Sequence, residues 1–234
     1  MKLCVAQLAS KKGDILENIS RHIKMINSAV TQGAELIIFP ELSLTGYEPK
    51  LAKALATSQD NKMLGEFQQL SDQHQITIGL GLPTKYSESI CISMVIFQPN
   101  QSRLTYSKKY IHTDEEPYFV CGKNFPVLKL KGKNIAIAIC YELSIPAHAE
   151  AAYNNGADVY IASVAKTETG IAKAHETLCA IAKKYNFPVL ISNSVGPSED
   201  FISAGNSAIW DKNGILQANL DAVEEGLLLF NLDD

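Results

Sequence analysis

Residues 133–146 read "KNIAIAICYELSIP". The stretch begins as a strand: Ile135, Ile137 and Ile139 alternate with alanines, so the isoleucines share one face of an extended chain. The run then stops at a thiol, Cys140, followed by Tyr141, Glu142 and, after three more residues, Pro146. A buried strand that ends on cysteine has two readings. The thiol is a small core hydrophobe, or the strand holds a nucleophile at its end.

Outward from this stretch, strands and helices alternate. Before it come a strand in "KLCVAQLA", a helix over about 14–32, and the short apolar strand "ELIIFP". In the helix Ile15, Ile19, Ile23, Ile26 and Val30 fall on one face, Asp14 is a candidate N-cap and Gly33 closes it. A helix over about 60–74 leads to the strands "ITIGLGLP", "ICISMVIFQ" and "RLTYSKKY". After Cys140 the pattern predicts a helix over 146–155, the strand "DVYIASV", a helix over 170–185 and the strand "PVLISNS". Three strands close the chain, "GNSAIWD", "GILQANL" and "GLLLFNL", the first two joined by an Asn213-Gly214 hairpin signal. Alternating elements mean an α/β protein, and the hairpin-linked strands mean mixed sheets. Two packed sheets with helices outside accommodate about a dozen strands.

The 234 residues are 46% hydrophobic and 20% charged, which suits one domain over 1–234. A net charge of -4, with lysine pairs scattered along the chain, gives no electrostatic footprint for nucleic acid. No run approaches the ~20 apolar residues of a membrane span. The start "MKLCVAQLAS" alternates like a strand and is too short for a signal segment, so the expectation is a cytoplasmic protein. Five cysteines, an odd number without a C-x-x-C pair, argue against a disulfide framework and a zinc site. The five histidines show no paired spacing, and Gly79 and Gly81 lack a third glycine at 84. Neither a metal nor an organic cofactor is expected.

Two further segments end an apolar run on a polar residue. In "LIIFPELSLTGY", Glu41 sits at the mouth of a buried strand, where lost water raises a carboxyl pKa toward that of a general base. In "LTYSKKYIHTDEEPYF", Lys108 follows an alternating strand and offers a cation for an oxyanion. Alone, Glu41 reads equally as a loop glutamate and Lys108 as an edge lysine. Together with Cys140 they supply the thiol, base and cation that acyl transfer needs.

The three segments resemble the glutamate, lysine and cysteine motifs of the nitrilase superfamily of carbon–nitrogen hydrolases, in that order. The resemblance covers essentially the whole chain, including "NNGADVYIASVA", "NSVG" and "AGNSAIWDKNGILQA". It implies a four-layer α-β-β-α sandwich of two mixed sheets. It also implies Glu41 as base, Lys108 rather than Lys109 as the lysine, and Cys140 as nucleophile. A second glutamate, counted back from "YFVCG", falls at Glu115 rather than Glu116. By analogy and adjacency, Tyr47, Tyr118, Phe119, Tyr141 and the segment 162–167, with Val164 and Ala165, form the pocket wall. The implied partner is a small-molecule amide, with no nucleic acid or membrane, and the implied assembly a homodimer.

The chain departs from the family pattern at "IAKKYN", where an Arg-Ala-x-Glu-Asn segment is common, and at Cys-Tyr-Glu, where Cys-Tyr-Asp is more usual. No arginine in these segments would clamp a substrate carboxylate, and Lys166 is the nearest cation. The expected substrate is therefore a small neutral or cationic aliphatic amide. An acyltransferase, a nitrile hydrolase and a non-catalytic member of the fold remain alternatives. A Cys-His hydrolase using His148 or His175 would leave Glu41 and Lys108 unexplained.

Overall fold

The isoleucines and alanines of the 133–139 strand meet different neighbours in the computed structural model, which describes residues 1–123 and 127–232. Ile135, Ile137 and Ile139 pack into a core shared with Leu3, Val5, Leu36 and Ile38 from the start of the chain. Ala136 and Ala138 face the other way, against helical residues such as Ala149, Ala152, Ala174 and Leu178. Small side chains on that face let the helices approach the sheet closely, while the bulky face fills the space between sheets.

The elements follow in chain order. They are β1 (Lys2–Gln7), α1 (Ile15–Thr31), β2 (Leu36–Ile38), α2 (Ala52–Leu55), α3 (Gly65–His74), β3 (Thr77–Tyr86), β4 (Ser89–Phe97) and β5 (Leu104–Ser107). The second half contains β6 (Leu128–Leu130), β7 (Lys133–Ile139), α4 (Pro146–Asn154), β8 (Val159–Val164), α5 (Glu168–Tyr185) and β9 (Val189–Asn193). It closes with β10 (Val195–Ser198), β11 (Phe201–Ala204), β12 (Ala208–Trp210), β13 (Leu216–Asn219) and β14 (Gly226–Asn231).

Among the described residues, one six-stranded sheet runs β14-β1-β2-β3-β4-β5 and the other β13-β12-β9-β8-β7-β6. In each, three adjacent strands are parallel (β1-β2-β3 and β7-β8-β9), and the outer pairings are antiparallel. Helices α1 and α3 cover the outer face of the first sheet through Ile19, Ile26 and Phe67. Helices α4 and α5 cover the second. The result is the expected α-β-β-α sandwich, with the last strand crossing back to pair with the first.

The ends of α1 are as expected, and several other local expectations change. Helix α1 starts where the Asp14 carboxylate accepts the Glu17 N–H, and Gly33 follows it at φ +78°. The segment near 60 begins as a 3-10 turn, Lys62–Leu64, before α3. The strand expected through 110 stops at Ser107, because the chain turns away at Lys108. The hairpin joining β12 to β13 is not a two-residue turn. Asp211 accepts from the N–H groups of Asn213 and Ile215 and closes a longer loop, with Gly214 at φ +73°. Three elements, α2, β6 and the β10–β11 ribbon, are too short for a periodic pattern to show in the sequence.

Candidate active site

Three strand ends converge on one cleft, and each is fixed by backbone contacts before any side chain is considered. Strand β2 is wholly buried and delivers Phe39, Pro40 and Glu41. The Phe39 N–H donates to Gly79 O at 3.0 Å, Ser163 Oγ from the second sheet donates to Phe39 O at 2.8 Å, and Leu44 N–H donates to Gly81 O at 2.9 Å. Buried His22, which burial pushes down to about 4 and so keeps neutral, bonds Ser43 Oγ from α1 at 3.0 Å. The Glu41 turn sits so close to β3 that a Cβ at Gly81 would lie 2.3 Å from Leu42 N and 2.5 Å from Pro40 O. Only glycine permits that approach.

Lys108 is held in the same manner. Its N–H donates to Ile92 O at 2.8 Å and its carbonyl accepts the Gly122 N–H at 2.7 Å. A Cβ at Gly122 would lie 2.2 Å from Ser107 O. Cys140 follows β7 at the start of a 3-10 turn, Cys140–Ser144, with φ +44°. Leu42, just after Glu41, has φ +51°. A non-glycine residue in the left-handed region stores on the order of 1–3 kcal/mol, and such strain concentrates at functional sites.

The side chains meet around the Lys108 ammonium. Nζ donates to Glu41 Oε1 at 2.8 Å and to Glu115 Oε1 at 2.7 Å, with all three groups essentially removed from solvent. Glu115 is positioned in turn: its Oε2 accepts the His112 N–H at 2.8 Å and its Oε1 the Tyr47 hydroxyl at 3.1 Å. An ammonium has three donors, and the two carboxylates take two of them. The second oxygen of Glu41, Oε2, is buried without a hydrogen-bond partner among the described residues. A buried ion cluster of this kind contributes little to stability after desolvation, so its presence calls for a reason other than folding.

Burial pushes the Glu41 carboxyl up to about 7 against the opposing pull of Lys108, with Glu115 adding to the rise. Lys108 is also buried, which alone would weaken its hold on the proton. Glu41, Cys140 and Glu115 outweigh that and keep it an ammonium. Burial, reinforced by Glu41, pushes the Cys140 thiol up to about 11, while Lys166 and Lys108 pull it back. The thiol is therefore protonated at neutral pH, beside a carboxylate able to take its proton. Cys140 Sγ also lies 4.0 Å from Ala165 O.

These groups open into a cleft of about 620 Å³. Of the residues expected there, Tyr47, Lys108, Glu115, Tyr118, Cys140, Tyr141 and Ala165 line it. Glu41 is bonded to Lys108 and is not part of the lining. Phe119 and Val164 do not reach it. Phe119 points into the core between the sheets, and Val164 packs on the helical side of β8, since alternate residues of a strand face opposite ways. Sequence reasoning missed the far wall, where the β10–β11 turn brings Glu199, Asp200 and Phe201 to the cleft and Phe201 packs on Tyr47 at 5.5 Å. "GPSEDF" carried the signal, a polar turn within an otherwise apolar stretch. Neither His148 nor His175 lines the cleft. His148 bonds Tyr160 and Tyr106 in the interior, and His175 bonds Asn206 O. No group of three or more metal-ligating side chains is present among the described residues.

Residues 2–234 match the family model for carbon-nitrogen hydrolases. The chain belongs to that family. The chain is 28% identical over 239 residues to a glutamine-dependent NAD(+) synthetase of Acinetobacter baylyi, aligning 99% of the chain with 44% of that protein. It is 27% identical to an (R)-stereoselective amidase of Pseudomonas sp., over 95% of the chain and 82% of the amidase. The chain thus spans less than half the length of such NAD(+) synthetases. The fold is that of the NitN amidase from Nesterenkonia sp. AN1, with a TM-score of 0.88, 23% identity and 100% and 96% of the two chains covered. One form of that amidase carries the acetamide moiety of fluoroacetamide on its active-site cysteine. Another is in complex with butyramide. Among the described residues, no helix is long and apolar enough to cross a membrane.

Proposed function

We propose that the protein hydrolyses the carbon–nitrogen bond of a small amide through a cysteine thioester, with Glu41, Lys108 and Cys140 as the reacting set. The observation that carries this reading is the buried Lys108 ammonium bridging two carboxylates, one with an unpartnered oxygen, at the edge of the cleft that Cys140 lines. Cys140 Sγ attacks the amide carbonyl carbon as Glu41 takes the thiol proton. The oxyanion is held by the third N–H of Lys108 and the backbone N–H of Tyr141. Glu41 then protonates the departing nitrogen, the C–N bond breaks, and ammonia or an amine leaves a thioester on Cys140. Glu41 next takes a proton from water as the hydroxyl adds to the thioester. The C–S bond breaks and the thiol regains its proton. Glu115 holds Lys108 in place throughout.

The cleft favours a small neutral or cationic amide. Its mouth presents Asp114, Glu199 and Asp200 against Lys50 and Lys166, and Lys50 pairs with Glu199 at 3.2 Å. A second reading, the ω-amide of an amino acid, is favoured by Lys166, whose ammonium forms no ion pair among the described residues and would hold a carboxylate. Ammonia release from a panel of small amides, ω-amides, nitriles and N-carbamoyl amines, with Cys140→Ala in parallel, tests both. Release by the wild type alone supports a thiol-dependent hydrolase, and the preferred panel member chooses the substrate class. Equal release by the variant removes Cys140 as nucleophile. The homodimer is proposed on the same footing. The groove between α4 and α5, lined by Pro146, Ala149, Ile181 and Tyr185, offers an apolar face for a second copy. Sedimentation as a monomer at all concentrations would remove that proposal.

A further inference from the structure

The geometry points to Glu142 as a positioning residue that sets the distance between Cys140 and Lys108 by tying together the two strand ends that carry them. The inference rests on the hydrolase reading above. Glu142 is completely buried, and its carboxylate reaches both sheets at once. From the second sheet it accepts the Ile139 N–H at 2.7 Å, one residue before the nucleophile. From the first it accepts the Lys109 N–H at 2.6 Å and the Tyr110 N–H at 3.3 Å, immediately after the lysine. The Tyr106 hydroxyl, on β5, donates to it with both carboxylate oxygens 2.7 Å away. His148 Nε2 stands 3.5 Å from Oε2, and His148 Nδ1 bonds the Tyr160 hydroxyl at 2.8 Å, which anchors the cluster to β8.

No other side chain among the described residues bonds the backbone on the Cys140 side and the backbone on the Lys108 side together. The bonds fall where they are needed. Cys140 is held at φ +44°, a conformation it would leave if the chain before it were free, and Glu142 caps that point. A carboxylate suits the place because it has only acceptor sites and every neighbour named is a donor or a hydroxyl. A glutamine of the same shape would turn one NH2 toward those donors.

The test compares Glu142→Gln and Tyr106→Phe with the wild type. The readouts are melting temperature, kcat and KM on the preferred amide, and the rate of Cys140 alkylation by iodoacetamide resolved by peptide mass spectrometry. Exposed Cys121 serves as an internal reference thiol. In Glu142→Gln, kcat and Cys140 alkylation should fall about 100-fold, as expected for reacting groups misplaced by about 1 Å, with KM nearly unchanged and Cys121 alkylated at the wild-type rate. A folded Glu142→Gln with wild-type kcat and Cys140 reactivity overturns the inference. If that variant does not fold, Tyr106→Phe decides. It removes one donor and leaves the carboxylate, and should slow Cys140 alkylation by about 10-fold; an unchanged rate overturns the inference. A purely structural role would lower the melting temperature and leave Cys140 in the folded protein as reactive as before. Glu41→Gln separates the two levels. If Cys140 is as reactive there as in the wild type, the hydrolase reading fails. If Glu41→Gln slows it and Glu142→Gln does not, only the positioning role fails.

Discussion

Two buried glutamates, Glu41 and Glu142, neighbour the same cysteine, and they are treated in opposite ways by their surroundings. Glu142 has hydrogen bonds at both oxygens, from backbone N–H groups and a tyrosine hydroxyl. Among the described residues, no nitrogen or oxygen donor other than Lys108 Nζ bonds Glu41, and its second oxygen has no partner within hydrogen-bond distance. A carboxylate whose acceptor sites are filled fixes geometry. One left partly unsatisfied in a dry site holds its proton more readily, and here burial brings Glu41 to about 7. On the proposed mechanism, hydrogen-bond saturation rather than burial separates the glutamate that holds the site from the one that reacts in it.

The largest expected effect comes from removing the atom both glutamates serve. Cys140→Ala should lower ammonia release by at least about 10⁴-fold, and any smaller loss would mean that another group attacks. Glu41→Gln keeps the shape and removes the base. Its kcat should fall by about 10³-fold while the protein stays folded, and a loss under tenfold would contradict Glu41 as the base. Glu115→Ala leaves a buried charge cluster without one member. Denaturant titration should show a loss of about 3–5 kcal/mol, and an unchanged midpoint would mean that the Lys108 cluster is not held as a unit. Tyr47→Phe removes one hydrogen bond from Glu115 and leaves two other donors. The smallest change is expected there, about 1 kcal/mol by the same titration.

The sequence made the site more legible than the walls around it. Glu41, Lys108 and Cys140 stand where apolar runs end, and a run of buried residues is a local signal. Glu115 was reached by resemblance and spacing, and it lies on Lys108. The fold followed from the same alternation, since the isoleucines of β7 face the other sheet and its alanines face helices. What escaped depends on distant partners. Val195 bonds Leu8 O and Ala204 N–H bonds Lys166 O, so the ribbon that brings Glu199 and Phe201 to the cleft exists only once both sheets are in place. The assignment of Phe119 and Val164 to the wall failed because adjacency along the chain does not say which face of the backbone a side chain takes. The partners of Glu142 on the Lys108 side lie more than thirty residues away in sequence.

The raised Glu41 pKa also carries a stability sign. The folded state keeps a proton that the unfolded chain releases above about 4.5, so this contribution is full below that pH and is lost as pH rises through about 7. On the proposed mechanism activity runs the other way, because only the ionised carboxylate would accept the thiol proton. The most direct measurement is therefore the pH dependence of kcat/KM for the preferred amide, in wild type and Glu41→Gln, from pH 5 to pH 9 as a working range. The expected result is a rising limb with an apparent pKa near 7 in the wild type, absent from the residual activity of the variant. A wild-type profile that is flat through neutrality, or a rising limb that survives in Glu41→Gln, would contradict Glu41 as the base.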